Sequence, residues 1–197
     1  MKSPYENVDS SNWKNITEQL LVNFPLSKEY LVSLVLKSWE AILKTKIANK
    51  WSIAKDVQPK PQIMGFFLHE IIGQYIQADY PDSWRKEKDA ADKDVVCITN
   101  NDYSLEIKTS SDKNKIFGNR SYAQEVKTGG KKSKSGYYLA INFEKFDETE
   151  DLPKIRLIRF GWLDHSDWIG QSAASGQQAR LPKEVENGKL IVIYKSN

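Results

Sequence analysis

Asp94, Glu106 and Lys108 are the residues whose types and spacing suit chemistry best. Eleven residues separate the aspartate from the glutamate, and Ile107 alone separates the glutamate from the lysine. Two carboxylates offer hard oxygen ligands to Mg²⁺, which usually keeps several waters and takes phosphate oxygens as further ligands. Such an ion lowers the pKa of a bound water and polarises a phosphoryl group. An ammonium beside it orients the attacking water and offsets the charge that develops in the transition state. Metal-assisted phosphodiester hydrolysis is the reaction class this trio suits.

The elements that must position the trio are legible around it. Apolar-rich runs at 95–98 and 103–107 flank the turn formers at 99–102, the signal of a β-hairpin with a short loop. Tyr103, Leu105 and Ile107 alternate with Ser104, Glu106 and Lys108, so a strand would point Glu106 and Lys108 to one face. Asp94 precedes the first strand, and the hairpin returns it towards the second. The competing reading is an ordinary half-buried strand with a solvated outer face. A second acid-x-Lys, Glu125-Val-Lys127, has no aspartate strand before it and runs into Thr-Gly-Gly, so it reads as the end of a helix.

Asp94, eleven residues, then Glu106-Ile-Lys108 resembles the PD-(D/E)XK nuclease motif. Lys93-Asp94-Val-Val, Glu106-Ile-Lys-Thr-Ser and Ile116-Phe-Gly-Asn-Arg-Ser-Tyr-Ala-Gln124 are similar, more narrowly, to type II restriction endonucleases of the ScaI-type group. Lys93 stands where the motif has proline, a residue often missing in this superfamily. The resemblance is centred on residues 63–145 and weakens towards 182. It implies a restriction-endonuclease-like α/β fold and Mg²⁺-dependent, sequence-specific hydrolysis of double-stranded DNA leaving 5′-phosphates. It also implies that Asp94 and Glu106 ligate the metal and Lys108 serves the water. In related nucleases a glutamate on the helix before the first catalytic strand often faces the site. Glu70 is therefore a candidate catalytic residue, as accessory ligand or water-orienting group, and its neighbour His69 reads as a satisfied structural histidine.

At 197 residues with 40% hydrophobic and 11% aromatic content, the chain reads as a single folded domain. Within it, 1–60 is an N-terminal helical subregion and 61–197 holds the catalytic core and the DNA-recognition segment. One cysteine, Cys97, can form no intrachain disulfide and fits a reducing cytoplasm. No signal-peptide pattern opens the chain and no apolar run is long enough to span a membrane. A zinc site is excluded by one cysteine and two histidines, and an ATP-driven subunit by the lack of a P-loop. Net charge is only +3, but residues 110–136 carry seven Lys or Arg against two acids, a local excess of +5 that leaves −2 elsewhere. A basic segment directly after the catalytic strand is the footprint a phosphate backbone needs. A solvated lysine loop is the bland alternative for 131–134.

Along the chain, residues 1–11 read as loose. The Asn15-Ile-Thr-Glu18 spacing caps a first helix that ends before Pro25, and Ser27 caps a second to about Lys46. Leu31, Leu34, Val35, Trp39, Ile42 and Leu43 form a helical stripe, core-facing by default and a dimer contact as the sharper alternative. Residues 51–60 read as a linker, 62–80 as an amphipathic helix and 81–92 as a charged connector. Ser110, Lys113 and Lys115 lie in the basic segment. Gly118 starts a turn into a helix through Lys127, whose N-terminus with Asn119, Arg120 and Ser121 favours a phosphate. Strands follow at 136–143 and 154–162, then a short helix at 164–168. Gln171, Ser172, Ser175, Gln177, Gln178 and Arg180 supply the amides and guanidinium that read adenine and guanine edges, with an exposed Gly/Ser linker as the alternative. Residues 190–194 read as a final buried strand. A single small domain cutting both strands of a palindromic site is most simply a homodimer. A structure-specific or repair nuclease on the same fold, and a non-catalytic DNA-binding module, remain as alternatives.

Overall fold

The computed structural model describes residues 2–123, 133–172 and 177–196. Two helices open the fold, α1 (Trp13–Val22) and α2 (Lys28–Leu43). Ser27 caps α2, its hydroxyl accepting from the Tyr30 amide at 3.1 Å. A small hairpin, β1 (Lys46–Ile47) with β2 (Trp51–Ser52), precedes α3 (Pro61–Asp79), which starts on proline, a residue preorganised for a first helical turn. Then come β3 (Trp84–Lys86), β4 (Val95–Cys97), β5 (Leu105–Ser110), β6 (Phe117–Asn119), β7 (Gly136–Phe143) and β8 (Ile155–Leu163). The chain closes with β9 (Ile169–Gly170), β10 (Gln178–Arg180), α4 (Lys183–Lys189) and β11 (Leu190–Lys195).

Six strands form the central mixed sheet in the order β11-β8-β7-β5-β4-β3. Only β5 and β7 run parallel within it, and the other pairs are antiparallel. The period of two divides the sheet cleanly. Leu105, Ile107, Tyr137, Leu139, Ile141 and Phe160 face the main core, where they meet Met64, Leu68, Ile72 and Ile76, one residue per turn of α3. Gly65 allows that close approach, since a Cβ there would come within 2.5 Å of Thr109 Oγ1 on β5. The alternate set, with Glu106, Tyr138 and Ala140, faces the opposite side. There a second core of Ile116, Tyr122, Trp168, Ala179, Leu181 and Val185 is roofed by α4 and by a three-stranded sheet, β6-β10-β9. The architecture is mixed α/β, a mixed sheet flanked by helices.

The α2 stripe takes its default reading: Leu31, Leu34, Val35, Trp39 and Ile42 are buried in the main core, and Leu43 is partly buried against it. Other expectations need correction. Residues 1–11 are not loose, because Tyr5 is buried, its hydroxyl 2.8 Å from that of Thr17, and Ser3 donates to Asp164 at 2.7 Å. The first helix starts at Trp13 rather than at an Asn15 cap. The linker holds β2 and a buried Ile53, and the charged connector contains β3, whose Trp84 is buried against β4. The last strand is a sheet edge rather than buried, with Val192 exposed. Helix α4 precedes it, unforeseen because its Gly188 and Asn187 are weak helix formers.

Candidate active site

Strands β4 and β5 share a single backbone pairing, Val95 opposite Leu105. Beyond it a side chain takes over. The Ile107 amide donates to Asp94 Oδ2 at 2.6 Å, which fixes the aspartate beside the strand that carries Glu106 and Lys108. At the other end the hairpin is closed by Ser104, which accepts from the Cys97 amide at 3.0 Å and donates to Asn101 at 2.8 Å. Glu106 is 2% exposed, and its Oε1 accepts from Lys108 Nζ at 2.8 Å and from the Tyr122 hydroxyl. Lys108 Nζ also donates to the Tyr122 oxygen at 2.8 Å, so the three side chains form a closed triangle. Burial first, then the charges of Glu106 and Asp94, push the Tyr122 hydroxyl far up, so it stays a donor.

The neighbours of the trio complete the picture. His69 Nδ1 stands 3.6 Å from Asp94 Oδ2, a proximity that sequence pattern alone does not convey. Glu70, one residue on, forms an ion pair with Lys86 of β3, whose stem lies along α3 where Gly73 leaves room. Lys93, in the place of the motif's proline, is buried and turns towards β7. Its ammonium donates to the Ser133 carbonyl at 3.0 Å, and its stem occupies the space a Cβ at Gly136 would need. Among the described residues, no three His, Cys, Asp or Glu side chains converge as a metal cluster. Asp94 and Glu106, on either side of the Ile107 amide contact, are carboxylates that could hold an ion. Two carboxylates fit Mg²⁺, an ion bound through one or two carboxylates plus waters and substrate phosphates.

The sequence treats 110–121 and 171–180 as separate segments, and the fold joins them. In the small sheet Gln178 pairs with Asn119, Arg180 with Phe117 and with Ile169, and the Arg120 amide donates to the Gln177 carbonyl at 2.7 Å. Asn119, Ser121, Gln171, Ser172, Gln177, Gln178 and Arg180 are exposed, and Arg120 is half-buried. Ser110 ends β5 and accepts from the Asp112 amide at 3.0 Å, opening the loop that presents exposed Lys113 and Lys115. That loop is stapled to the sheet by Asn142, which donates to the carbonyls of Asp112 and Lys115, and by Arg159, which donates to that of Asn114. Gly118 lies within β6, followed by a 3-10 turn at Arg120–Ala123, and the remainder of the expected helix, 124–127, lies outside the described residues. Ser175, Lys127, Lys131 and Lys132 lie outside the described residues.

Tyr122 is the residue that sequence reasoning misses. A lone tyrosine in a basic stretch carries no periodicity, and only folding brings it back to Glu106 from 16 residues away.

Comparison with known proteins agrees with the family resemblance. A profile of the ScaI restriction endonuclease family matches residues 3–194. The type II restriction enzyme ScaI of Streptomyces caespitosus is 46% identical over 193 residues, covering 98% of this chain and 85% of the relative. No solved structure gives a significant match. The chain belongs to the ScaI restriction endonuclease family.

Proposed function

We propose that this chain is a type II restriction endonuclease, hydrolysing phosphodiester bonds of double-stranded DNA at a defined sequence and leaving 5′-phosphates. The observation that carries the reading is the convergence at the β4–β5 junction: Asp94 held by the Ile107 amide, next to Glu106 bonded to Lys108. Family membership supports it. The fold is restriction-endonuclease-like, with the catalytic pair on the inner strands of the mixed sheet.

Asp94 and Glu106 hold Mg²⁺ in this reading. The ion supplies an acidified water and a polarised phosphoryl group. Lys108 would orient the attacking water and offset charge on the non-bridging oxygens, its ammonium already held by two acceptors. Glu70 stays an accessory group, acting from its pair with Lys86. Lys113, Lys115, Arg120 and Ser121 grip phosphates, with Ser110 and Asn119 beside them. Gln171, Ser172, Ser175, Gln177, Gln178 and Arg180 approach base edges, where amides and guanidinium make bidentate pairs. With one such centre per chain, cutting two antiparallel strands calls for a two-fold homodimer. No described helix is long and apolar enough to cross a membrane, and buried Cys97 suits a reducing cytoplasm.

The test is digestion of linear phage DNA with Mg²⁺ and with chelator, followed by sequencing of the ends. Discrete fragments sharing one sequence at their ends, carrying 5′-phosphates and formed only with Mg²⁺, are the expected result. Intact linear DNA together with cutting of branched substrates would replace this reading with a structure-specific nuclease. DNA retarded on a gel but never cut would replace it with a binding module.

A further inference from the structure

We propose that Tyr122 is a positioning residue for Lys108 and Glu106, and that through it the seating of the β6-β10-β9 sheet on DNA sets the geometry of the catalytic strand. The inference rests on the nuclease reading above. A lysine ammonium is a point charge on a flexible four-carbon stem, so its place is set by the acceptors it finds. Lys108 has two at 2.8 Å, Glu106 Oε1 and the Tyr122 oxygen, and its Nζ lies 4.5 Å from the centre of the Tyr122 ring. The tyrosine hydroxyl has one proton and free lone pairs. It gives the proton to Glu106 and accepts from Lys108, so one oxygen fixes the distance between the carboxylate and the ammonium.

The ring that carries this hydroxyl belongs to the recognition side of the molecule. It packs edge-on against Trp168 at 5.2 Å, immediately before β9. Gly118 of β6 lies beneath it, and a Cβ there would come within 3.0 Å of the ring. The turn holding Tyr122 is tied to the segment before β10 by the Arg120 amide bond to Gln177. A shift of the small sheet therefore moves the hydroxyl, and misplacing a reacting group by about 1 Å can cost about 10²-fold in rate. No comparable coupling is visible from the sequence, because Gly118, Tyr122 and Trp168 share no repeat or pattern.

The experiment compares wild type, Lys108→Ala, Tyr122→Phe, Gly118→Ala and the double variant Gly118→Ala/Tyr122→Phe. Single-turnover cleavage of linear DNA is measured with Mg²⁺, and DNA affinity by gel retardation in chelator. Phenylalanine keeps the ring contacts and removes only the hydroxyl. The expected result is a rate lowered about 10–100-fold in Tyr122→Phe, the scale for outer partners of a metal site, with affinity and melting temperature near wild type. Gly118→Ala should slow cleavage by nudging the ring, and should add nothing once the hydroxyl is gone. A wild-type rate in Tyr122→Phe overturns the proposal, as does a loss confined to affinity. Equal slowing by Gly118→Ala with and without the hydroxyl overturns the coupling through Tyr122. A wild-type protein that cuts nothing, or a Lys108→Ala protein that cuts normally, removes the underlying nuclease reading instead.

Discussion

Replacing Lys189 with methionine should destabilise the fold heavily, and in a pH-dependent way that identifies the cause. The Lys189 ammonium is buried and donates to Asp164 Oδ2 at 3.1 Å and to both oxygens of Asp167 at 2.8 and 2.9 Å. It also sits over the rings of Tyr5 and Trp13, at 4.3 and 4.6 Å. Methionine keeps most of the stem volume but leaves two buried carboxylates facing each other. Breaking a buried ion pair from one side costs about 3–5 kcal/mol, against a total of about 5–15 kcal/mol for a typical domain. With a urea slope of about 2 kcal/mol/M, the midpoint should fall by about 1.5–2.5 M at neutral pH. Burial already raises the Asp167 carboxyl in the wild type, with Lys189 pulling the other way. Removing the ammonium raises it further, so the folded state binds protons before the unfolded state does. Stability of the variant should therefore increase as pH falls from neutral towards about 4. Adding Asp164→Asn and Asp167→Asn should recover much of the loss. The assay is urea unfolding followed by tryptophan fluorescence at several pH values. A midpoint within 0.3 M of wild type (about 0.6 kcal/mol at that slope), or a variant that only weakens as pH falls, would refute the argument.

Three further outcomes follow from other parts of the molecule. Arg85 grips Asp92 with two hydrogen bonds, 2.6 and 3.1 Å, and holds its carboxyl well below the usual range. That contribution is fully present above the unfolded value of about 3.9 and is lost as pH falls through the depressed folded value. Asp92→Asn should lower stability at neutral pH and flatten the acid limb of a urea-midpoint profile. Gly65→Ala should cost about 1–3 kcal/mol by overpacking against Thr109, and much less in a Thr109→Ala background, as measured by thermal melts. Arg180→Ala should weaken DNA binding and relax the sequence preference while leaving the slope of log K against log salt unchanged, as removal of a base contact does. A slope reduced by about 1 with the preference intact would assign the guanidinium to a phosphate instead.

Strand β5 is legible because alternation is a local property: once 105–110 is a strand, Glu106 and Lys108 share a face. Helices α2 and α3 are legible for the same reason, their apolar residues recurring at helical spacing. What stays hidden depends on distant partners. Tyr5 and Ser3 look like a polar terminus until Thr17 and Asp164 are brought to them. Strand β3 is three residues inside a charged stretch and exists because β4 pairs with it. The triangle at Glu106 and the union of 117–119 with 178–180 are tertiary facts of the same kind. His69 reads as structural from sequence, and its place 3.6 Å from Asp94 needs the packing of α3 on the sheet to be seen.

The most direct test of the central claim measures cleavage and binding separately for Asp94→Asn and Lys108→Ala. Both keep the approximate size or the backbone of the site, and neither residue lies in the basic loop or the small sheet assigned to phosphate grip and base reading. The account predicts DNA affinity in chelator within a few-fold of wild type and cleavage with Mg²⁺ lowered by about 10²–10³-fold, the scale of removing one stabilising group from a preorganised site. Cleavage at the wild-type rate by either variant would contradict it and place the reacting centre elsewhere on the fold.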